Sequence, residues 1–369
     1  MANEKLLKDF GANIQRLING GNLSREETYA MFCQVLGNEQ PDLQQGAFLA
    51  ALVSKGETIE EIAGAWQAIV EKDTVAVSLD VTEPIVENSG TGMDSLKTFN
   101  VSSAAAIVAA ACGAKVARHG SRALTSFCGA VDILEAVGLD VECDPQTVVQ
   151  SIQEVGIGLF NGMSPKIHPF GLGRILSQIR FGTTLNIAAS LANPARPTHG
   201  LRGVYAESLL GPVAEVMASI GYHRGVVVHG QAIGQQGGMD ELSVCGPTKV
   251  CEFTGNGEVK EYSLQPEDLG IRKVPFVEIA ALGNLQKERR RFLTVLTGKG
   301  EKSCMDFTCL NAGATLYAGE LAKSIEEGVG LASAAIADGS ALAKLKTWVA
   351  TQARDGKGTA RLEQELAAL

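Results

Sequence analysis

The stretch Pro84-Ile85-Val86, leading into Asn88-Ser89-Gly90-Thr91-Gly92 and then an alanine-rich run over residues 101–112, decides how this chain folds. A short apolar run that ends in glycines has the pattern of a buried strand. The alanine-rich run reads as a helix, and Gly113 ends it. The unit then recurs, with a second strand around 114–117, a second loop, and a helix over about 130–137 that Gly138 stops. Farther on, Gly225-Val226-Val227-Val228 carries the same strand signal. Strands alternating with helices imply a sheet with helices on its faces and ligands at the loops that leave the strand ends.

Upstream the texture is different. Ser24-Arg25-Glu26-Glu27, Asp42-Leu43-Gln44-Gln45 and Thr58-Ile59-Glu60-Glu61 each place a capping side chain three residues before Glu or Gln. Apolar residues follow at helical intervals, as at Ile59, Ile62, Ala63 and Trp66. No strand signal precedes about residue 75. The expectation is an α/β protein: a small all-helical N-terminal domain, residues 1–75, beside a larger α/β domain, residues 76–369, with part of 168–190 packed on the helical one. The tail over 312–350 is Ala-rich and predicted helical, and Lys287-Glu288-Arg289-Arg290-Arg291 reads as a solvated helix face.

Composition narrows the function. The 369 residues carry a net charge of −9, which disfavours a sequence-blind grip on nucleic acid, because that needs a basic face. Eight cysteines are scattered with no CxxC pair, which points to reduced thiols in a cytoplasmic protein. The first fifteen residues lack an apolar core of the secretory kind, and no apolar run of about 18 residues exists to span a membrane.

Three segments carry chemistry. In Gly90-Thr91-Gly92-Met93-Asp94, closing with Thr98-Phe99-Asn100-Val101-Ser102-Ser103, glycines let backbone N–H groups approach an anion, hydroxyl and amide side chains add donors, and a helix N-terminus follows. It is neither a Walker A loop nor a GxGxxG turn. Arg118-His119-Gly120-Ser121-Arg122 places a basic site at a predicted strand end in an acidic protein. Gly237-Gly238-Met239-Asp240-Glu241 sets adjacent carboxylates in a glycine-rich loop, oxygen ligands suited to Mg²⁺. Taken singly, each is also compatible with an ordinary turn or solvent-exposed loop.

Together they resemble a family signature. Gly90-Thr91-Gly92-x-Asp94, Thr98-Phe99-Asn100-Val101-Ser102, His119-Gly120-x-Arg122 and Ser126-x-Cys128-Gly129-x-x-Asp132 stand in the order and spacing of the anthranilate phosphoribosyltransferases. His168-Pro169, Asn186, Leu191-Ala192-Asn193-Pro194, Met239-Asp240-Glu241-Leu242-Ser243 and Leu310-Asn311-Ala312-Gly313 extend the likeness over nearly the whole chain. The resemblance implies a mixed central sheet, a homodimer formed through the helical domain, Mg²⁺ as cofactor, and small-molecule substrates: phosphoribosyl pyrophosphate (PRPP) and anthranilate. It implies donor binding by Gly90, Thr91, Gly92, Asp94, Thr98, Asn100, Ser102, Ser103, Arg118 and Ser126, and acceptor binding by His119, Gly120, Ser121, His168 and Arg174. Ser102, Asp240 and Glu241 match the family's magnesium-binding residues. No residue stands out as a catalytic acid, base or nucleophile.

The chain departs from the pattern at named places. Arg118 stands for a family Lys, Met93 for a Gly and Ser121 for an Asn. The stretch 170–180 is short and lacks the usual pair of arginines, one of which meets the anthranilate carboxylate; Arg174 or Arg180 could substitute only across a gap. Residues 231–237 and about 284–296 look inserted. The alternatives are therefore a paralogous phosphoribosyltransferase with another aromatic or heterocyclic acceptor, and a non-catalytic relative that binds a ligand or nucleic acid. Pyrimidine nucleoside phosphorylases share the fold class but match the His119-Gly120 and Asp240-Glu241 blocks less well.

Overall fold

A computed structural model of the chain describes residues 2–123, 128–179, 181–353 and 356–369. Four helices open it: α1 (Ala2–Ile18), α2 (Arg25–Leu36), α3 (Asp42–Lys55) and α4 (Ile59–Lys72). Ser24 and Thr58 form the expected capping boxes with Glu27 and Glu61. The third expected box is absent. Pro41 is the N-cap of α3, so Asp42 already lies inside the helix, and the Gln45 amide instead donates to the Gln40 carbonyl at 2.6 Å.

The α/β part follows in the order β1 (Ile85–Gly90), α5 (Val101–Ala111), β2 (Lys115–Gly120), α6 (Ala130–Ala136), α7 (Pro145–Val155) and β3 (Ile157–Asn161). Next come α8 (Leu172–Gln178), α9 (Thr184–Ala188), β4 (His199–Gly203), α10 (Leu210–Ser219), β5 (Arg224–Gly230), β6 (Thr248–Thr254) and β7 (Val259–Leu264). The chain closes with α11 (Leu285–Leu296), α12 (Lys302–Ala318), α13 (Ile325–Ala337), α14 (Ser340–Gln352) and α15 (Lys357–Ala367). The predicted helical tail is thus three helices in succession, from α12 to α14.

The seven strands form one mixed sheet in the order β3-β2-β1-β4-β5-β6-β7. The first five are parallel, and β6 and β7 are added antiparallel. The order reverses about β1, with β2 on one side and β4 on the other, so the loops after these strands flank a crevice, the usual ligand position in such sheets. One face of the sheet is covered by α5, α12 and the C-terminal helices in a core that includes Val108, Phe292, Phe307 and Trp348. The other face continues into the helical domain: Phe32, Phe48 and Ile69 share one apolar cluster with Leu172, Ile175 and Leu185 from α8 and α9 and with Val227 of β5.

The charged run in α11 departs from expectation. Glu288 and Arg291 are buried, 2.8 Å apart, and the Arg291 guanidinium lies 5.1 Å from the centroid of Phe99. Spaced three apart on a helix, they share a face. That face turns inward because Phe292 and Leu296 beside it pack into the core. Among the described residues no helix is long and apolar enough to cross a membrane.

Candidate active site

The strands β1, β2 and β5 all end in glycine, at Gly90, Gly120 and Gly230, and the segments that follow meet in the crevice. The acidic turn after β5 sits directly on the glycine loop after β1. The Gly92 N–H donates to Asp240 Oδ2 at 2.6 Å, and the Ser102 hydroxyl donates to Glu241 Oε1 at 2.5 Å. A Cβ at Gly90 would overlap the Asp240 carboxylate, and one at Gly203 would overlap the Asp240 backbone. Asn311 of α12 clamps the next residue from behind: Leu242 N–H donates to its Oδ1 at 2.9 Å, and its Nδ2 donates to the Leu242 carbonyl at 3.1 Å. The segment before the acidic turn is tied down as well, through Gly238 N–H to Ser95 Oγ at 3.1 Å.

Burial is severe for these charges. Asp240 and Glu241 are each 8% exposed, and both are pushed above the usual carboxylate range, chiefly by burial; for Glu241 the Asp240 charge adds to it. Asp94 is raised too, by burial and then by Asp240, against the pull of Lys97 at 2.8 Å. Crowded acidic oxygens that resist ionising call for a cation. The donor set is all oxygen, carboxylates and a hydroxyl, which fits a hard ion such as Mg²⁺. Among the described residues no three His, Cys, Asp or Glu side chains form a metal site by themselves. Mg²⁺ ordinarily keeps water and substrate oxygens and takes only one or two carboxylates.

Several polar atoms here have no partner within the protein. Thr91 Oγ1, Ser103 Oγ and Arg118 Nε are buried without a hydrogen bond. Arg118 donates to Asn88 Oδ1 at 3.1 Å and to the Ser102 carbonyl at 2.5 Å, so it braces the start of α5 from below. Burial lowers its pKa to about 10, and it remains a cation at neutral pH. Asn100 is the N-cap residue of α5, and its amide donates to the Cys128 carbonyl at 3.2 Å. Thr98 pairs with Ala280 in an antiparallel bridge. Ser126 lies outside the described residues.

On the other side of the crevice, His119 and His168 meet, their Nε2 atoms 3.1 Å apart, and His168 Nδ1 lies 3.1 Å from the Asp73 carbonyl oxygen. Burial, then His168, lowers the pKa of His119 to about 3. Gly162 has no room for a side chain, since a Cβ would come within 2.7 Å of His119 Nε2. The Gly120 carbonyl accepts from Gly162 N–H at 2.8 Å, and Ser121 is exposed beside it. Arg174 is not brought here. Its Nη2 donates to the Val35 carbonyl at 2.6 Å and to Gln45 Oε1 at 3.0 Å, which spends the side chain on joining α8 to the end of α2. Arg180 lies outside the described residues.

Residues 82–342 match the glycosyl transferase family α/β domain, and residues 13–73 match the helical bundle domain of the same family. Anthranilate phosphoribosyltransferase of Polynucleobacter necessarius is 39% identical over 341 residues, covering 92% of this chain and 96% of that protein. The enzyme of Stutzerimonas stutzeri is 37% identical over 347 residues, covering 92% and 96%. The chain belongs to the anthranilate phosphoribosyltransferase family. The crystal structure of the Thermus thermophilus anthranilate phosphoribosyltransferase superposes with a TM-score of 0.82 at 32% identity, covering 92% of this chain and 98% of that one. The yeast anthranilate phosphoribosyltransferase in complex with PRPP and Mg shares the fold at 24% identity, with a TM-score of 0.80 and coverage of 93% and 98%. As a member of the anthranilate phosphoribosyltransferase family, the chain is a pentosyltransferase.

Three residues outside the sequence-derived site join it in the folded chain. Asp73 accepts from the N–H groups of Phe170, Gly171 and Leu172 while its carbonyl meets His168. Lys97 bonds both Asp94 and the Gly92 carbonyl, and Asn88 holds Arg118. A lysine inside a glycine-rich loop of an acidic protein was a readable signal. Asp73 offered none beyond ending a helix.

Two outcomes follow from this packing. Gly90→Ala should displace the Asp240 carboxylate and lower kcat about 100-fold, since a misplacement near 1 Å costs that much; circular dichroism should show the fold retained, and an unchanged kcat would show that Asp240 is not positioned by the loop. The second concerns acid. His119 has a folded pKa of about 3 against 6.5 for the free group. The stability it contributes is therefore present above pH 6.5 and is lost as pH falls, because the unfolded chain takes up a proton first. Between pH 7.5 and 5.5 that loss is about 1.4 kcal/mol. Urea unfolding of His119→Gln at the two pH values should show a pH dependence smaller by that amount.

Proposed function

We propose that the chain transfers the phosphoribosyl group of PRPP to anthranilate, forming N-(5-phosphoribosyl)anthranilate and pyrophosphate, the chemistry of tryptophan biosynthesis. The observation that carries this reading is the seating of the Asp240-Glu241 turn on the 90–103 loop through Gly92 and Ser102. It joins acidic oxygens to a glycine-lined anion cradle in one place.

In this reading Gly90, Thr91, Gly92, Asp94, Thr98, Asn100, Ser102, Ser103 and Arg118 bind the donor, together with Ser126. The hydroxyls of Thr91 and Ser103, buried without a protein partner, suit them to oxygens brought in by the substrate. Ser102, Asp240 and Glu241 hold Mg²⁺, which when bound stabilises negative charge on the departing pyrophosphate. His119, Gly120, Ser121 and His168 form the acceptor side. His119 is buried and neutral, so it orients an aromatic amine by hydrogen bonding and does not act as a proton store. Displacement at the ribose C1 builds positive charge on the sugar and negative charge on the leaving group. Positioning and fixed dipoles therefore do most of the work. A neutral amine attacks without an activated nucleophile.

We place the protein in the cytoplasm as a homodimer paired through its helical domain. The support is an apolar surface there, with Leu43 of α3 88% exposed and Ile18 of α1 63% exposed, and eight cysteines that form no disulfide, as expected of a reducing compartment.

The purified protein should deplete anthranilate fluorescence only when PRPP and Mg²⁺ are both present, with EDTA abolishing turnover. Asp240→Asn with Glu241→Gln should collapse turnover while the thermal melt persists. Undiminished turnover in that variant would remove the metal assignment, and pyrophosphate release only with a different amine would reassign the acceptor. Sedimentation equilibrium should return twice the chain mass; a monomer at micromolar concentration would sink the dimer.

A further inference from the structure

Strand β4 holds an arginine where its neighbours are apolar or glycine, and that side chain is 2% exposed. Arg202 donates one Nη to the Ser89 hydroxyl and the other to the Ser190 hydroxyl, the latter at 2.9 Å. Both partners are neutral. Among the described residues no carboxylate lies within ion-pair distance of it. Glu87 lies on the same face of the sheet and is held by Asn193 at 3.1 Å and Tyr222 at 2.9 Å; burial raises its pKa and the charge of Arg202 opposes that rise, but the two make no hydrogen bond. A buried cation without a bonded anion is costly, and such sites are usually completed by a negative group.

The register says which way this cation faces. Ser89 on β1 is paired with Arg202 on β4, and Arg202 with Val227 on β5. The β1–β2 register pairs Ile85 with Lys115 and Val86 with Val116, and alternation along the two strands turns Ser89 and His119 to one face. Residues paired across parallel strands point to the same face. His119 and Arg202 therefore flank Ser89 on that face, two strand spacings or about 10 Å apart at the backbone. Ser190 ties them together, since it accepts from Arg202 and its backbone also lies by the His119 ring. The charge of Arg202 reaches the His119 ring and adds, after burial and His168, to the lowering of its pKa.

We propose that Arg202 is the residue that receives the carboxylate of the acceptor, with the amine held toward His119. The proposal rests on the acceptor reading given above, in which His119 marks the amine's position. It answers the two departures in α8: the family's usual arginine pair is missing from 170–180, and Arg174 is committed to the Val35 carbonyl. A guanidinium matches a planar carboxylate with two parallel hydrogen bonds, and Ser89 and Ser190 hold its fork in place until the ligand arrives. Both hydroxyls can rotate to donate once the guanidinium is engaged, so carboxylate binding leaves neither unsatisfied.

The test compares wild type with Arg202→Met, which keeps much of the volume, and Arg202→Lys, which keeps the charge without the fork. Steady-state kinetics with anthranilate should show KM for anthranilate at least 30-fold higher in Arg202→Met, with KM for PRPP changed less than twofold, and an intermediate rise in Arg202→Lys. Wild type should prefer anthranilate strongly over aniline, which lacks the carboxylate, and Arg202→Met should lose that preference. Equal rises in both KM values, or an undiminished preference in a variant that melts like wild type, would overturn the proposal. If Arg202→Met does not fold, Arg202→Lys decides by the same two ratios. Fluorescence titration with anthranilate in the presence of Mg²⁺ and pyrophosphate separates the two readings. Binding by wild type that is weakened in the variants, without turnover in wild type, would sink the transferase reading and leave the arginine assignment standing. Equal binding, or none, would sink the assignment itself.

Discussion

The structure hangs on the burial of two adjacent carboxylates against a loop that has no side chains to resist them. Asp240 and Glu241 sit on the backbone of residues 90–103, and only glycine at 90 and 203 leaves Asp240 room. Burial by itself drives both acids toward their neutral forms. Their hydrogen bonds from Gly92 and Ser102 offset part of that cost, and a divalent cation would offset much of the rest. The site is thus built in a state of electrostatic need, and the need is what selects its ligands.

The remaining architecture serves to hold that arrangement. The sheet order reverses about β1, which brings the ends of β1, β2 and β5 to one crevice. Asn311 of α12 locks the acidic turn from the side of the main core. Asp73, just past α4, binds three consecutive N–H groups at the start of α8 and meets His168, so the helical domain grips the His119–His168 side of the crevice directly. Trp66 adds a second tie through its indole N–H to the Leu191 carbonyl at 2.9 Å. The helical unit is therefore part of the site's frame, and any movement of it would be felt at His119 through His168.

Much of this was legible in the residues. Alternating apolar runs and glycine loops announced the α/β sheet, and capping boxes at Ser24 and Thr58 announced the helices that carry them. The expected box at Asp42 was not formed, because Pro41 starts the helix one residue earlier. The charged run in α11 looked solvated and is half buried, since Glu288 and Arg291 neutralise each other under Phe99. Chemical type and spacing do not say which face of a helix turns inward.

What the sequence determined by itself was local and repetitive: strand, loop and helix order, the glycine-lined loop, the paired acids and the family likeness that joins them. These are legible because backbone sterics and hydrophobic periodicity act over a few residues. Only the tertiary structure decided which side chains meet. Gly92 and Asp240 stand 148 positions apart in sequence, and His119 and His168 stand 49 apart. It also turned Arg174 away toward α2 and left Arg202 buried beside Ser89 without a bonded anion. Such pairings depend on strand register and on the direction each side chain takes from its element, and those are set by the packing of the whole chain.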